Sequence, residues 1–310
     1  PRGNYDALPA LLDRLETYIA PWYPPKTELN RKRCAILDAC KASSSTAAPG
    51  VYTLTVPTGG GKTTAAMAFA LTAAVQNCMS RVIYAAPYTS IIDQNADTFE
   101  KIFGTENVIE HHSSAEYLFS ESPNPAEYRK MLAAENWDAP VIATTTVQLF
   151  ESLFASKPAR CRKLHNLANS VLIVDEVQTL PMPYLKPFTA ALAELARKYG
   201  VIVVLCTATQ PALDGVFADL KIDLPIKEIC PNVPENFETF RRTKITQHTF
   251  DSTESLTAEL TALPQVLCIV NTRKFAQEVY EALPSEGRFH LSTLMCPVHR
   301  KQKLDEIRER

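Results

Sequence analysis

The chain has 310 residues, of which 46% are hydrophobic, and its formal net charge at pH 7 is −2. A chain of this length exceeds one α/β domain of ordinary size, so we expect two domains with enough apolar sequence for buried cores. The near-neutral charge excludes a global basic field as the means of holding nucleic acid. Any contact with nucleic acid must therefore be local, through backbone amides, hydroxyl groups and a few basic side chains.

The eight cysteines are scattered along the chain, and none forms a CxxC pair. This spacing argues against a zinc site or a disulfide framework and favours free thiols, with Cys206 and Cys268 buried in apolar runs. Free thiols fit a reducing compartment. The sequence also lacks a signal-peptide pattern and any apolar run of about 18 residues or more. We therefore expect a cytoplasmic protein with no membrane partner.

The first predicted elements are two helices, an amphipathic one over Leu8–Ala20 and a second over Asn30–Ala42. From Val51 onwards, strands and helices alternate. Each predicted strand is a short run of apolar residues, which is typical of a parallel sheet covered on both faces. The strands are predicted over Val51–Val56, Arg81–Ala86, Val141–Ala143, Val171–Val174 and Val201–Cys206, and the helices over Lys62–Gln76, Ile91–Phe103 and Tyr184–Lys198.

A stretch with several prolines follows, and beyond it the alternation restarts. We expect a first domain over residues 28–235 and the start of a second over residues 236–310, because about 70 residues are too few for a complete domain of this kind. In this second part, strands are predicted over Lys244–Phe250, Val266–Val270 and Phe289–Leu291, and helices over Glu254–Leu263, over Lys274–Leu283 and from Val298.

The most informative segment is Val51–Thr64, VYTLTVPTGGGKTT, in which an apolar strand breaks into three glycines before a helix. Such a loop lets backbone amides turn toward phosphate oxygens, and the helix N-terminus adds unpaired amides and a positive dipole end. Lys62 would reach the β- and γ-phosphates of a nucleoside triphosphate, and the Thr63 hydroxyl would ligate Mg²⁺. The alternative is a glycine-rich turn that precedes a lysine by coincidence. The residues predicted to bind the nucleotide here are Thr58, Gly59, Gly60, Gly61, Lys62, Thr63 and Thr64.

A later segment, VLIVDEVQ, places Asp175 and Glu176 at the C-terminal end of a buried strand, where parallel sheets bind ligands. Asp175 would hold Mg²⁺, and Glu176 would orient the attacking water. Together with Lys62 and Gln178 they form the predicted catalytic set. A carboxylate pair that only caps a helix is the alternative, and the upstream phosphate loop argues against it.

Hydroxyl side chains follow several of the predicted strands. Thr207 and Thr209 would sense the γ-phosphate and signal to the neighbouring domain, although such a turn also occurs as a plain loop. The others either cap helices or hold the phosphates of a nucleic-acid strand across the top of the sheet. The residues predicted for nucleic acid are Thr89, Ser90, Thr145 and Thr146 in the first domain and Asn271 and Arg273 in the second.

Taken in order, the TGGGKT, APYTS, ATTT, DEVQ and TAT blocks resemble the superfamily 2 helicases. The stretches RVIYAAPYTSIIDQNA, VIEHHSS, LIVDEVQTLP and CTATQPAL further resemble the helicase part of the CRISPR-associated helicase–nuclease of type I interference systems, in particular subtype I-C. The resemblance implies an α/β fold with a RecA-like parallel-sheet domain, a P-loop NTPase, followed by the beginning of a second RecA-like domain.

The same resemblance implies ATP and Mg²⁺ as cofactors and 3′-to-5′ translocation on single-stranded DNA. It implies as partners single-stranded DNA and a Cascade-type RNA-guided surveillance complex with R-loop DNA. Helicases of this kind often read adenine with a residue upstream of the loop, for which Arg33 is the candidate, and an exposed arginine at a helix start is the alternative.

Family members usually carry an N-terminal HD nuclease domain, but no His-Asp dipeptide occurs here. We expect residues 1–27 to follow an absent nuclease domain. The later second-domain motifs are missing too, so we expect this segment alone to bind ATP weakly and hydrolyse it poorly. An RNA helicase and a nucleotide-gated adaptor that docks on a partner complex are the alternatives. Intact Lys62, Asp175 and Glu176 argue against the adaptor.

Overall fold

The computed structural model describes residues 4–112, 125–208, 219–220 and 224–310. The chain forms two compact units, Pro1–Arg241 and Arg242–Arg310. The strands of the first unit are β1 (Gly50–Thr55), β2 (Val82–Ala86), β3 (Val108–His111), β4 (Val141–Thr145), β5 (Val171–Val174), β6 (Ile202–Thr207) and β7 (Ile226–Glu228).

Within the described residues, these strands form one parallel sheet in the order β3-β4-β2-β5-β6-β1-β7. The sheet confirms the predicted α/β class. Because all the strands run in the same direction, their C-terminal ends share one edge, and that edge is where ligands bind in such sheets.

Helices cover both faces of the sheet, as a parallel sheet requires. They are α1 (Leu8–Ile19), α2 (Glu28–Ser44), α3 (Lys62–Gln76), α4 (Thr89–Phe103), α5 (Pro125–Asn136), α6 (Thr146–Phe154), α7 (Pro158–Cys161), α8 (Leu164–Leu167), α9 (Met182–Lys198) and α10 (Val233–Thr239), with 3-10 turns at Ala20–Trp22 and Val177–Thr179.

Two apolar cores lie on the two faces of the sheet. Helices α1 to α4 pack on one face, where Tyr84 and Ile173 point, and α6 and α9 pack on the other, where Ile83 and Leu172 point. This alternation follows from the two-residue period of a strand. Helix α1 buries four apolar residues at helical spacing against α3 and α4, so it belongs to the core of the first unit.

The predicted strands and helices of the first unit are present, with ends shifted by a few residues. Strand β4 extends to Thr145 because Thr144 is buried and its hydroxyl donates to the His111 carbonyl at 2.7 Å. Strands β3 and β7 were not predicted as strands. They are four and three residues long and contain charged side chains, so only their pairing with β4 and β1 makes them strands.

The second unit contains α11 (Thr253–Ala262), α12 (Arg273–Ala282) and α13 (Pro297–Arg308), close to the predicted helices. The predicted strands Lys244–Phe250, Val266–Val270 and Phe289–Leu291 are wrong, because the backbone of residues 242–310 forms no strand. A strand needs a hydrogen-bonded neighbour and a covered apolar face, and these segments have neither: Ile245 and Ile269, for example, are exposed.

The eight cysteines are free thiols. Cys206 is buried in β6 as expected, whereas Cys268 is exposed, which corrects the prediction that it is buried. The difference follows from the missing strand around Cys268. Among the described residues, no helix combines the length and the apolar character that a membrane crossing requires.

Candidate nucleotide-binding site

The glycine loop connects β1 to α3, and each of its three glycines has a backbone reason to be there. Gly59 and Gly61 have φ of +84° and +85°, in the left-handed region that favours glycine. A Cβ on Gly60 would lie 2.6 Å from Val56 Cγ1. Val56 stands where the strict phosphate-loop pattern has glycine, and it is buried in the core beneath the loop.

Helix α3 begins at Lys62 and has no side-chain cap, so its first amides are available to an anion. They lie beside a pocket of about 280 Å³ at the C-terminal edge of the sheet. Six of the seven predicted nucleotide-binding residues line it, and Gly60 does not. Its lining consists of Pro57, Thr58, Gly59, Gly61, Lys62, Thr63, Thr64, Glu176 and Ala208.

The three predicted charged residues converge at this pocket. The Lys62 ammonium lies 2.8 Å from Asp175 Oδ1 and also forms an ion pair with Glu176. Asp175 is only 4% exposed. Burial acts to lower the pKa of Lys62, but the two carboxylates outweigh it and raise that pKa above its ordinary value. The lysine is therefore charged, and the loop and the acidic pair form one site.

Gln178 and Thr207 extend the site along the sheet edge. Glu176 has a left-handed backbone with φ of +51°, and its carboxylate accepts a hydrogen bond from the Gln178 amide. The carbonyl of the same amide accepts a hydrogen bond from the Thr207 hydroxyl at 2.8 Å. Gln178 thus contacts Glu176 directly and Thr207 contacts Gln178, while Thr209 lies outside the described residues.

Tyr84 belongs to the site, although it was not predicted from the sequence. Its phenol donates to Asp175 Oδ2 at 2.5 Å and accepts from Asn95 Nδ2 at 2.8 Å. Burial and the nearby Asp175 raise the pKa of Tyr84 well above its usual value, so it stays a donor. The pairing of Tyr84 with Ile173 puts it on the same face as Asp175. Only this register between β2 and β5 identifies Tyr84 as a site residue, and the register cannot be read from the sequence.

Arg33 lies on α2 beside the glycine loop. Its Nε donates to the Gly59 carbonyl at 2.7 Å, and its Nη1 donates to Asn30 Oδ1 at 3.2 Å. A pocket of about 560 Å³ adjoins it, lined in part by Trp22, Asn30 and Arg33 together with Gly59 and Gly61. The arginine therefore connects the phosphate loop to a second, larger pocket.

The hydroxyl residues predicted to contact nucleic acid occupy different environments. Thr89 is the first residue of α4, beside the exposed Ser90, and no side chain caps this helix. Thr145 caps α6, because its hydroxyl accepts from the Gln148 amide at 3.2 Å, and Thr146 is buried. In the second unit, Asn271 and Arg273 are exposed on either side of Thr272, the cap of α12.

A family model described as DEAD/DEAH box helicase matches residues 38–215. The CRISPR-associated nuclease/helicase Cas3 of Haloferax volcanii is 33% identical over 184 residues, which are 53% of this chain and 20% of that protein. The crystal structure of T. fusca Cas3-AMPPNP has a TM-score of 0.51 at 19% identity and covers 68% of this chain and 25% of that one. The crystal structure of T. fusca Cas3 has a TM-score of 0.48 at 19% identity, over 68% and 26% of the two chains.

These matches confirm the predicted resemblance to superfamily 2 helicases, and the Haloferax protein confirms the similarity to the helicase part of Cas3. The matched residues include the glycine loop and the acidic pair, and the RecA-like class of the first unit is confirmed. The chain spans only 20% of the curated relative that it matches. At 19% identity, the likeness to the solved structures concerns the fold alone.

Proposed function

Because the chain belongs to the DEAD/DEAH box helicase family, we propose that it is an ATP-dependent DNA helicase or translocase that moves 3′ to 5′ along single-stranded DNA. The observation that carries the proposal is the convergence of Lys62, Asp175 and Glu176 at the uncapped start of α3. A binding module needs the lysine and the amides but has no use for a carboxylate placed to activate water.

Lys62 and Glu176 would act in sequence at the triphosphate. In the structure, the lysine forms an ion pair with each of the two carboxylates. We infer that the β- and γ-phosphates attract the Lys62 ammonium, and that Glu176 is then free to accept a hydrogen bond from the attacking water. Gln178 would keep Glu176 oriented, and Thr207 would hold Gln178.

The donor set of the pocket fits Mg²⁺. Thr63 offers a hydroxyl oxygen and Asp175 a carboxylate oxygen, which are the hard ligands that this ion prefers. The Lys62 ammonium lies against the same carboxylates, so the location favours a cation. We propose that Thr63 and Asp175 hold the ion, which when bound would neutralise charge on the phosphates.

Adenine would occupy the larger pocket beside the loop. Trp22 offers a partly exposed aromatic face there, and Arg33 lies at the boundary with the phosphate pocket. Because the Arg33 guanidinium is already bound to Gly59 and Asn30, we propose that it positions the loop and contacts the base with its free edge.

Nucleic acid would lie at the C-terminal edge of the sheet. The uncapped α4 offers amides to a phosphate at Thr89 and Ser90. At α6, the Thr145 hydroxyl is occupied by its capping bond, so amides near Thr146 are the better candidates. For the second unit, Asn271 and Arg273 remain predictions. The DNA preference rests on the similarity to Cas3.

The wider role follows the Haloferax relative, whose description is a CRISPR-associated nuclease/helicase. We propose that the protein acts in type I interference in the cytoplasm, recruited to a Cascade-type complex with R-loop DNA. Nuclease activity would belong to an HD domain coupled to this helicase and not to the present segment.

The test is ATP hydrolysis by the intact protein with single-stranded DNA, with RNA of the same sequence and with neither. We expect DNA to stimulate turnover most, and Glu176→Gln to abolish turnover while nucleotide binding persists. Glu194→Gln, on the surface of α9, is the matched control and should turn over normally. Normal turnover by Glu176→Gln would contradict the mechanism. Greater stimulation by RNA would favour an RNA helicase, and nucleotide binding without turnover would favour an adaptor.

A further inference from the structure

A chain of hydrogen bonds, buried at Asp175 and Tyr84 and half-buried at Asn95, connects the nucleotide pocket to α4. It runs from Asp175, at the end of β5, through the Tyr84 phenol in β2 to the Asn95 amide in α4, with distances of 2.5 and 2.8 Å. The direction of each bond is fixed, because a carboxylate only accepts and the amide nitrogen only donates. The phenol must therefore donate to Asp175 and accept from Asn95.

These hydrogen bonds set the orientation of the Asp175 carboxylate. Its Oδ1 lies 2.8 Å from the Lys62 ammonium and accepts from the Glu176 backbone amide, also at 2.8 Å. Its Oδ2 is the oxygen that Tyr84 holds. Tyr84 and Asp175 are both almost fully buried, so the phenol is the donor that the structure provides to Oδ2. Removing the phenol oxygen would thus release one side of the carboxylate.

The other end of the chain is anchored to a rigid element. Asn95 lies six residues after Thr89, so about 9 Å of helix separates it from the uncapped N-terminus of α4. The same helix packs Phe99 edge-to-face against the Tyr84 ring, with centroids 5.5 Å apart. A displacement of α4 therefore changes the position of both the Tyr84 ring and its hydroxyl.

We propose that Tyr84 and Asn95 are positioning residues that orient Asp175 for the nucleotide and couple it to the nucleic-acid end of α4. The inference rests on the proposed function, since it assumes Mg²⁺-nucleotide at Asp175 and a phosphate strand at Thr89 and Ser90. Coupling between two binding sites is reciprocal, so nucleotide changes the affinity for DNA by the same factor as DNA changes the affinity for nucleotide.

The first experiment removes only the phenol oxygen. Tyr84→Phe keeps the ring against Phe99, and the readout is the Mg²⁺ concentration that half-saturates binding of a fluorescent ADP analogue. We expect this concentration to rise about 10-fold or more, as for other groups that orient a metal ligand. The matched control is Tyr52→Phe, which removes a buried hydroxyl that also donates and accepts, at Ala48, away from Asp175. The control should behave as the wild type does.

The second experiment removes the Asn95 end of the hydrogen-bond chain, on α4. Asn95→Ala is compared with Gln94→Ala, a neighbour on the exposed side of the same helix. The readout is the ratio of the Kd values for single-stranded DNA without and with Mg²⁺-AMPPNP. For the wild type we expect a ratio of about 5 or more, as typical couplings between sites have. The ratio should fall toward one in Asn95→Ala and keep its wild-type value in Gln94→Ala.

Two results would overturn the inference. The first is a wild-type Mg²⁺ requirement in Tyr84→Phe together with a wild-type ratio of DNA Kd values in Asn95→Ala. The second is a wild-type protein whose affinity for DNA is the same with and without the nucleotide. A wild-type protein that binds no nucleotide would instead overturn the proposed function. Thermal unfolding checks each variant for folding. If Tyr84→Phe does not fold, the inference is tested with Asn95→Ala alone, because Asn95 is only half-buried. Both the ratio of DNA Kd values and the Mg²⁺ titration are then measured on that variant.

Discussion

The tripeptide Val-Leu-Cys occurs in both units of the chain, with opposite outcomes. In the first unit, residues 204–206 lie in the middle of β6, between β5 and β1, and Leu205 is 1% exposed. In the second unit, residues 266–268 form no strand, and Leu267 is 80% exposed. The same local sequence is thus a core strand where neighbours pair with it and an exposed segment where none does. Strand propensity is mostly a property of the surroundings.

The largest expected difference between the two tripeptides is in the rate at which their cysteines are chemically modified. Burial, then the charge of Asp175, raises the pKa of Cys206 well above its usual value, so it reacts only when the first unit opens. Cys268 is exposed in the native state. With unfolding free energies of about 5–15 kcal/mol, we expect Cys268 to be alkylated at least about 10³ times faster.

Iodoacetamide pulses followed by peptide mass spectrometry measure both rates in the wild-type protein. Cys78 and Cys296, which are exposed as well, serve as internal references for fast labelling, and Cys40 serves as the buried reference. Equal labelling of Cys206 and Cys268 would mean that the second tripeptide is as protected as the first, and the contrast between the units would fail.

Truncation of the two leucines tests the same contrast through stability. Leu205→Ala removes a fully buried side chain and should lower the free energy of unfolding of the first unit by about 2–5 kcal/mol. Leu267→Ala removes an exposed one and should change stability by no more than about 0.5 kcal/mol. Both tryptophans, Trp22 and Trp137, lie in the first unit, so their fluorescence during urea unfolding reports on that unit. A large effect of Leu267→Ala on this signal would contradict the prediction.

The pH dependence of the first unit offers a third test, through the half-buried His111. Burial first, and then the charges of Lys163 and His112, lower the pKa of His111 to about 4. The unfolded chain, with a histidine pKa near 6.5, binds this proton first. Stability is therefore lost as the pH falls from about 6.5 to about 4, and the full loss from this group is about 3 kcal/mol.

His111→Gln should remove this contribution, so the difference in unfolding free energy between wild type and variant should change over that pH range. The comparison emphasises His111 because the same carboxylates are present in both proteins. His248→Gln in the second unit is the control and should leave the profile from tryptophan fluorescence unchanged. A constant difference between wild type and His111→Gln from pH 7 to pH 4 would contradict the assignment.

The predicted site residues that the structure brings together share a local cause. The glycines of the loop are required by positive φ angles and by the close contact with Val56. The acidic pair directly follows an apolar strand. Each of these sequence signals therefore lies within a few residues of the site residues that it predicts. Tyr84 was missed because its role depends on the register between β2 and β5. Strands β3 and β7 were missed, and three strands of the second unit were predicted in error, because pairing depends on distant neighbours.

The smallest effect concerns two threonine caps, one in each unit. Thr145 accepts a hydrogen bond from the Gln148 amide at 3.2 Å, and Thr272 accepts one from the Phe275 amide at the same distance. Thr145→Ala should cost the first unit about 1 kcal/mol. Thr272→Ala should leave the fluorescence transition of that unit unchanged, because α12 belongs to the other unit.

Two variants of Thr145, to Ala and to Ser, separate capping from contact with nucleic acid. If the Thr145 hydroxyl only caps α6, Thr145→Ser restores the lost stability, and the affinity for single-stranded DNA changes little in either variant. A DNA affinity that falls in Thr145→Ala without any loss of stability would instead assign the hydroxyl to a phosphate. Because its oxygen already accepts the Gln148 amide and sits on a residue that is 6% exposed, we expect the capping result.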